Sequence, residues 1–204
     1  MGLLLASTVL VIGNSHLVGP FGWYLDENLR KSGLQVATYA SCGSIAKWWT
    51  SGQKTTCGYF SKDLKGEVVK ATIQATPNLA ELISNIRPET VLVELGANYV
   101  NTPSDSFAIN DLKTMVKTIK DTGARCYWIG SPDSRKYRAE RPRIYRLITE
   151  AVGADCPIFN SMNVTQYPET GGDGVHYWFK EGMPIARNWA DAVAEDFLRD
   201  PSLY

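Results

Sequence analysis

The sequence has no excess of charge of either sign and no long apolar run. Its 204 residues include 21 lysines and arginines against 21 aspartates and glutamates, so the formal net charge at pH 7 is zero. Nucleic acids and anionic membranes attract proteins through a basic surface, and the sequence gives no argument for either partner. No apolar run is long enough to cross a bilayer as a helix, so no membrane span is expected. The six basic residues between Arg135 and Arg146 are interpreted as a solvated helix face.

Clusters of metal-binding residues are also missing. The sequence contains two histidines and four cysteines, and no Cys-x-x-Cys pair or Cys/His cluster brings them together. Zinc sites are built from such clusters. Neither a metal nor another cofactor is therefore expected, and any activity should be indifferent to chelators.

The even number of cysteines permits two disulfides. Cys42 and Cys57 flank one predicted loop, while Cys126 and Cys156 fall in predicted strands that are neighbours if the strands follow one another in order. The expected pairs are therefore 42–57 and 126–156, provided that the Cα atoms approach within disulfide distance. Such bonds persist in oxidising compartments and favour a periplasmic or secreted protein whose leader is absent from this chain. Buried free thiols in a cytoplasmic protein are the alternative.

Strand-like and helix-like segments alternate along the chain. Short apolar runs predict five strands, at residues 8–12, 34–40, 90–95, 126–129 and 157–160. Apolar residues at helical spacing predict helices between the strands and after the last of them. No repeat or linker interrupts the pattern, so residues 1–204 are predicted to form a single domain. Its predicted fold is a three-layer α/β/α sandwich with a central, mostly parallel five-stranded sheet.

Two segments do not follow this alternation in a simple way. Residues 41–70 lose the periodicity and are predicted to form a long loop, which in a compact domain is usually functional. The apolar segment 1–12 lacks a basic start and a small-residue cleavage site. It is interpreted as a core strand rather than a signal peptide.

Four polar segments stand near the ends of the predicted elements. Three follow the first three strands and one precedes the last helix: residues 13–16, 41–44, 96–98 and 173–176. Sites in open α/β sheets form at the carboxyl ends of strands, so the four segments are expected at one edge of the sheet. Together they supply a hydroxyl, an imidazole, a carboxylate and amide donors, which are the groups that acyl transfer requires.

The scarcity of histidine assigns roles within these segments. His16 is adjacent to Ser15 in sequence and is poorly placed to accept the proton of that hydroxyl. His176 is therefore the expected general base, with Asp173, three residues earlier, holding the other ring nitrogen. Each segment alone is more often structural than catalytic, and only their joint occurrence favours a Ser-His-Asp triad.

These segments resemble, in the same order, the motif blocks of the SGNH (GDSL-like) hydrolases. The resemblance covers nearly the whole chain and implies the flavodoxin-like fold and the serine esterase activity of that family. It implies that Ser15 is the nucleophile and that Asp173 and His176 complete the triad. It also implies an oxyanion hole formed by the N–H groups of Ser15 and Gly43 and by the side-chain amide of Asn98.

The sequence departs from the family pattern at two positions. Asn14 stands where the usual Gly-Asp-Ser has aspartate, and Tyr99 follows Asn98 where the usual motif has aspartate. Neither position belongs to the triad, so the chemistry should survive in a divergent branch. The absence of a Gly-x-Ser-x-Gly motif around Ser15 argues against the α/β-hydrolase fold.

Aromatic residues cluster around the motifs and are expected to bind substrate: Trp48, Trp49, Tyr99, Tyr177 and Trp178. Aromatic faces stack well on sugar rings, although core packing is the other interpretation. The SGNH family includes esterases that remove acetyl groups from polysaccharides and cell-wall glycans. The expected substrate is therefore an acyl ester, with acetyl as the first choice, on a carbohydrate that is a small molecule or a polysaccharide.

Two other functions stay open at this stage. One is a carbohydrate-binding domain of the same fold in which the triad is a relic. The other is a glycan-cleaving hydrolase, in which Asp173 would work with a second carboxylate such as Glu94 or Glu169.

Overall fold

The computed structural model describes residues 7–203. The strands are β1 (Thr8–Gly13), β2 (Gln35–Ser41), β3 (Lys54–Thr55), β4 (Tyr59–Lys62), β5 (Val68–Ala71), β6 (Gln74–Ala75), β7 (Thr90–Glu94), β8 (Arg125–Ile129) and β9 (Ile158–Phe159). The α-helices are α1 (Ser15–Val18), α2 (Pro20–Lys31), α3 (Trp48–Ser51), α4 (Leu79–Ile86), α5 (Asp105–Lys120), α6 (Arg141–Val152) and α7 (Gly182–Leu198). The first six residues of the apolar segment 1–12 lie outside the described part.

Five parallel strands form the centre of the sheet, as the alternation predicts. Their order is β2-β1-β7-β8-β9, and β1 pairs in register with both β2 and β7. This is the strand order of flavodoxin-like folds, in which the chain reverses direction beside the first strand. Ligands in such sheets bind at that reversal, at the carboxyl end of β1.

The sheet has seven strands rather than the predicted five. Strands β4 and β5 extend it beyond β2 in antiparallel orientation, in the order β5-β4-β2. They lie largely within residues 41–70, where the expectation of a structureless loop is therefore wrong. Tyr59 and Phe60 bury their side chains against the core, while the edge strand β5 is mostly exposed and lacks the apolar signal of a central strand.

Helices cover both faces of the sheet, which confirms the three-layer fold. Side chains alternate along β1, so that Val9 and Val11 face one layer while Leu10 and Ile12 face the other. Helices α1, α2 and α7 pack on the first face, and α4, α5 and α6 pack on the second. Within the described residues, no helix is both long and apolar enough to cross a membrane.

Both expected disulfides are present. Cys42 bonds to Cys57 and Cys126 bonds to Cys156, with Cα separations of 5.6 and 4.9 Å. The alternative of buried free thiols is therefore wrong. The second bond joins β8 to the segment before β9, whereas the first ties the end of β2 to the turn before β4.

Candidate active site

The segment after β1 turns directly into a helix. Asn14 caps that helix, because its side-chain oxygen accepts a hydrogen bond of 3.0 Å from the backbone N–H of His16. Ser15 is thus the first residue of α1, at the carboxyl end of the central strand. Among the described residues, nothing accepts a hydrogen bond from its backbone N–H.

A continuous chain of hydrogen bonds links Ser15, His176 and Asp173. The Nε2 atom of His176 lies 2.9 Å from the hydroxyl oxygen of Ser15, although 161 residues separate them. The Nδ1 atom of His176 lies 2.6 Å from Oδ2 of Asp173. The three residues that the sequence indicates for a triad are therefore brought together in the geometry that proton transfer requires.

The carboxylate of Asp173 is held by its own turn. Its Oδ1 atom accepts backbone hydrogen bonds from Val175 at 2.9 Å and from His176 at 2.8 Å. Partial burial acts to raise the pKa of Asp173, but the hydrogen bonds from the ring and backbone of His176 and from Val175 outweigh it and lower the pKa to about 2. Asp173 is therefore anionic at neutral pH and fixes the proton on Nδ1 of His176.

The second histidine is buried beside the site. The ring centroid of His16 lies 5.5 Å from that of His176. The His16 ring also packs edge-on against the ring of Trp189. Burial lowers the pKa of His16 to about 3, and the nearby His176 adds to this, whereas Asp173 opposes it. His16 is thus a neutral packing residue, and His176 is the histidine that contacts Ser15.

This burial predicts a pH dependence of stability. The unfolded chain protonates His16 below its ordinary pKa of about 6.5, whereas the folded state resists protonation down to about 3, so stability falls as pH falls between these values. Between pH 7 and pH 5 the free energy of unfolding should decrease by about 2 kcal/mol more for wild type than for His16→Gln. Denaturant titrations at the two pH values measure this difference.

The comparison with His16→Gln is needed because Glu94 acts with the opposite sign. Burial raises the pKa of Glu94 well above its ordinary value, so its contribution to stability decreases as pH rises. Glu94 is present in both wild type and His16→Gln, so its contribution cancels when the change in the free energy of unfolding with pH is compared between them. Equal pH slopes for wild type and His16→Gln would contradict the burial of a neutral His16.

The three expected oxyanion-hole residues line one cavity. This Ser15 cavity has a volume of about 260 Å³, and its lining includes Ser15, Gly43, Asn98, Asp173 and His176. The φ angle of Gly43 is +81°, a left-handed conformation that L side chains adopt at a cost. The side-chain amide of Asn98 donates one hydrogen bond to the carbonyl of Ser44 at 3.0 Å, which orients the amide and leaves its second N–H free of a partner among the described residues.

A disulfide and a threonine fix the loop that carries Gly43. Cys42 precedes Gly43 and is bonded to Cys57, whose sulfur would lie 3.8 Å from a Cβ atom placed on Gly43. The buried hydroxyl of Thr55 donates to the carbonyl of Cys42 at 2.8 Å. The backbone N–H of Gly43 is therefore held from both sides of the loop.

Removing each disulfide should separate stability from activity. The loops that the two bonds close span 15 and 30 residues, so Cys42→Ala/Cys57→Ala and Cys126→Ala/Cys156→Ala should lower the free energy of unfolding by about 3 and about 4 kcal/mol. Only the first pair should also reduce the kcat for p-nitrophenyl acetate, by roughly tenfold, because it loosens the Gly43 loop. Equal kcat values for the two double variants would contradict this role.

The structure corrects the expectation for three of the five aromatic residues. Trp49, Tyr99 and Tyr177 are 0–3% exposed and pack in the core. Their polar atoms hold neighbouring loops: the Tyr99 hydroxyl donates to Asp111 at 2.5 Å, and the Tyr177 hydroxyl donates to the carbonyl of Asp133 at 2.6 Å. These three side chains are therefore not substrate contacts.

The other two aromatic residues are accessible. Trp178 is 48% exposed, and its ring stacks on that of His176, with centroids 4.2 Å apart and planes 21° apart. Trp48 is half-buried and packs against the position of Gly43. Trp178 thus covers one face of the histidine ring and limits the orientations that the ring can adopt.

One wall of the Ser15 cavity was not anticipated. It comes from the segment after β8 and the start of α6, and includes Ser131, Ser134, Lys136, Tyr137 and Arg141. The interpretation of residues 135–146 as a solvated helix face needs two corrections: Lys136 is exposed but precedes α6, and Arg141 is paired with Asp133. Since Ser131 stands two residues past a strand end, the same rule that indicated Ser15 would have indicated this segment.

The two glutamates that were candidates for a second carboxylate lie away from the Ser15 cavity. Glu94 is completely buried beneath it, where its Oε1 atom accepts a hydrogen bond of 3.3 Å from the side-chain amide of Asn14. Glu169 is exposed and forms an ion pair of 2.9 Å with Arg138. Neither lines the cavity with Asp173. Within residues 7–203, no three His, Cys, Asp or Glu side chains are grouped as metal ligands.

The proteins that are similar to this chain include a curated relative and several solved structures. Protein BcsX of Komagataeibacter xylinus is 27% identical to this chain over an alignment of 213 residues, gaps included, that covers 96% of this chain and 78% of BcsX. The structure of a protein from Slackia heliotrinireducens that has been assigned to the SGNH hydrolases matches with a TM-score of 0.61 at 16% identity, covering 94% of this chain and 98% of that one. A peptidoglycan O-acetylesterase matches with a TM-score of 0.59 at 13% identity, covering 95% and 91%.

These likenesses show the fold. No family model matches the sequence. The structural matches extend over almost the whole of each chain, so the fold is that of the SGNH (GDSL-like) hydrolases, as the resemblance of the four segments implies.

Proposed function

We propose that this protein is a serine esterase that hydrolyses an acyl ester, with acetyl as the first choice, on a carbohydrate. The observation that carries the proposal is the hydrogen-bonded chain from Asp173 through His176 to Ser15, which ends at the Ser15 cavity. Packing in a protein core does not require a serine hydroxyl, an imidazole and a carboxylate joined by hydrogen bonds in this order. Acyl transfer by a serine nucleophile does require them.

In the proposed reaction, His176 removes the proton of the Ser15 hydroxyl as its oxygen attacks the acyl carbon. Asp173 stabilises the imidazolium that forms, and the stacked ring of Trp178 keeps it aligned. The negative charge on the former carbonyl oxygen is stabilised by the backbone N–H groups of Ser15 and Gly43 and by the amide of Asn98.

The tetrahedral intermediate then collapses to an acyl-enzyme, which water hydrolyses in a second step. His176 gives its proton to the departing alcohol oxygen, which leaves the acyl group on Ser15. A water molecule, deprotonated by the same histidine, attacks this acyl-enzyme and releases the carboxylic acid, after which Ser15 regains its proton. Asp173 stays ionised throughout, in agreement with its low pKa.

Three observations support a carbohydrate substrate. The Ser15 cavity, at about 260 Å³, is much larger than an acetyl group needs, so it has room for part of the alcohol. Trp178 offers an exposed flat ring beside His176, on which a sugar can stack. A peptidoglycan O-acetylesterase also shares the fold. The two disulfides support a periplasmic or secreted location.

An activity-based probe tests the proposal. A fluorophosphonate should label wild-type protein at Ser15, and peptide mass spectrometry identifies the modified residue. Ser134→Ala is the matched control, since Ser134 lines the same cavity without a histidine partner, and it should label like wild type. Acetate release from O-acetylated xylan and peptidoglycan then identifies the substrate. Absence of labelling at Ser15 would favour the non-catalytic carbohydrate-binding alternative.

The glycan-cleaving alternative is disfavoured by the position of the carboxylates. That mechanism needs two carboxyl groups facing each other across the substrate. Asp173 is committed to His176, Glu94 is buried and Glu169 is paired with Arg138. Mass spectrometry of the products distinguishes the two reactions, because ester hydrolysis removes an acyl group and leaves the glycan chain intact.

A further inference from the structure

We propose that a second groove, beside the helix that carries Ser15, binds the continuation of the polysaccharide chain whose ester is hydrolysed. We call it the Trp23 groove. The inference rests on the proposed esterase function and deepens it, because it makes the substrate a polymer rather than a small sugar ester.

The Trp23 groove has a volume of about 330 Å³ and lies between α2 and the β4–β5 extension of the sheet. Its lining includes Val18, Trp23, Tyr59, Phe60 and Lys70. The Lys70 ammonium lies 5.1 Å from the centroid of the Trp23 ring and 5.9 Å from that of Phe60. No carboxylate lines the groove, and no ion pair of Lys70 is found among residues 7–203.

The groove lies next to the proposed catalytic site on one side. Val18, which lines the groove, ends the four-residue helix that Ser15 begins, and residues three apart on a helix have Cβ atoms about 5–6 Å apart. Gly58 also lines the groove, and its carbonyl accepts the backbone N–H of Cys42 at 2.9 Å, while Cys42 lines the Ser15 cavity. Val18 and the contact between Cys42 and Gly58 therefore form the boundary between the two recesses.

The groove is also continuous with the surface around Trp178. The Trp178 ring lies over Gly19, where an added Cβ atom would approach its Cε3 atom to 3.3 Å. Trp23 lies one helical turn further on, since its backbone N–H bonds to the carbonyl of Gly19 at 3.4 Å. Val18 and Gly19 therefore join the two tryptophans into one path past Ser15.

Exposure separates these two tryptophans from the others. Trp23 is 42% and Trp178 is 48% exposed, whereas Trp49, Trp128 and Trp189 are completely buried and Trp48 is half-buried. Leaving a large apolar ring in water is unfavourable, and tryptophan is enriched at interfaces because its ring combines a large apolar face with a polar N–H group. Both exposed tryptophans lie on the same path.

The chemistry of this path fits a sugar chain. The apolar C–H faces of sugar rings stack on indole rings, and the ammonium of Lys70 can donate hydrogen bonds to hydroxyl groups at the ring edge. Val18 and Gly19 lie between Trp178 and Trp23, so a ligand that uses both rings has to extend across this part of the chain. The ligand that uses both platforms is therefore a polymer that passes over α1.

Binding without hydrolysis tests the groove independently of the esterase chemistry. In the inactive Ser15→Ala background, affinity electrophoresis measures binding to O-acetylated xylan, and co-sedimentation measures binding to peptidoglycan. Adding Trp23→Ala should weaken binding to the polysaccharide that the parent retains by about fivefold to tenfold, as expected for one lost aromatic platform. Trp23→Tyr keeps a flat ring and should restore most of the binding.

Phe107→Ala is the matched control. Phe107 is also an exposed aromatic residue with a lysine over its ring, Lys47 at 5.9 Å, but it lies on α5 outside the groove. This variant should bind like its parent. With an active Ser15, Trp23→Ala should raise the KM for the acetylated polymer by the same factor and leave the kinetics of p-nitrophenyl acetate unchanged.

The outcomes are distinguishable. Equal binding by Trp23→Ala and Phe107→Ala, or no binding of either polysaccharide by the Ser15→Ala parent, would overturn the groove while leaving ester hydrolysis intact. Loss of polysaccharide binding in Trp23→Ala together with no labelling of Ser15 would retain the groove and remove the esterase.

Discussion

Replacement of Ser15 by alanine is expected to lower the kcat for p-nitrophenyl acetate by on the order of 10⁵-fold or more. The Ser15 hydroxyl is the only group within hydrogen-bond distance of Nε2 of His176 among the described residues. Without this hydroxyl, no nucleophile is positioned next to the proposed oxyanion-hole donors. His176→Ala should cost about as much, because the two side chains act as one unit.

The third residue of the triad should have a smaller effect. Asp173→Asn keeps a polar side chain in the turn but removes the charge that fixes the His176 tautomer, and it should lower kcat by about 10⁴-fold. Melting temperatures of all three variants should stay close to that of wild type, since the exposed turn and one hydroxyl contribute little to the core. Wild-type turnover by Ser15→Ala would falsify the assignment of this site.

Replacement of Asn98 by alanine should lower kcat by roughly a hundredfold to a thousandfold and change KM little. The amide of Asn98 is half-buried in the lining of the Ser15 cavity, and its bond to the carbonyl of Ser44 presets its direction. A donor preset in this way strengthens its bond as negative charge develops in the transition state, so its loss appears in kcat.

A purely structural role for Asn98 predicts a different result. The bond to Ser44 could serve only to hold two loops together, and its loss would then lower the free energy of unfolding by about 1 kcal/mol and leave kcat near wild type. Measuring the melting temperature and kcat of Asn98→Ala together decides between the two roles. Asn98→Asp is a useful second variant, since it keeps the size of the side chain but has no N–H to donate.

The proximity of Ser15, Asp173 and His176 could be predicted from the sequence because histidines are few and because Ser15 follows a strand while the other two precede the last helix. With two histidines in the chain, and one of them adjacent to Ser15, the base was found by elimination. The fold then brings residues 173–176 next to residues 13–16. No local sequence pattern predicts this approach of two distant segments. The structure shows this approach directly in the 2.9 Å contact between His176 and Ser15.

The roles of the aromatic residues could not be predicted in the same way. Trp48 and Trp49 are neighbours, yet one is half-buried at the site and the other is completely buried. Which of them faces the core depends on how the loop packs on α4 and α5, and sequence proximity to a motif carries no such information. For the same reason the sequence does not single out Trp23, which lies eight residues past Ser15 on a helix predicted to be amphipathic.

The sequence pattern does not predict strands β4 and β5, because strands near the exposed edge of a sheet require few apolar residues. Their pairing follows from the Cys42–Cys57 bond and from the hydrogen bond between Cys42 and Gly58, which return the chain to β2. Both are contacts between residues about fifteen positions apart, and the periodicity of a single segment does not report them.

The separation of 161 residues between Ser15 and His176 has a consequence for biosynthesis. A ribosome that has made β1, α1 and all of the central strands has not yet released the segment with the base, and α7 must still dock on α2, where Trp189 stacks on Phe21. Domains that depend on such distant contacts assemble late and as a whole. If Ser15 and His176 act as proposed, a nascent chain that still lacks residues 173–176 is expected to be inert towards esters, and covalent labelling of Ser15 should count only molecules that have completed folding.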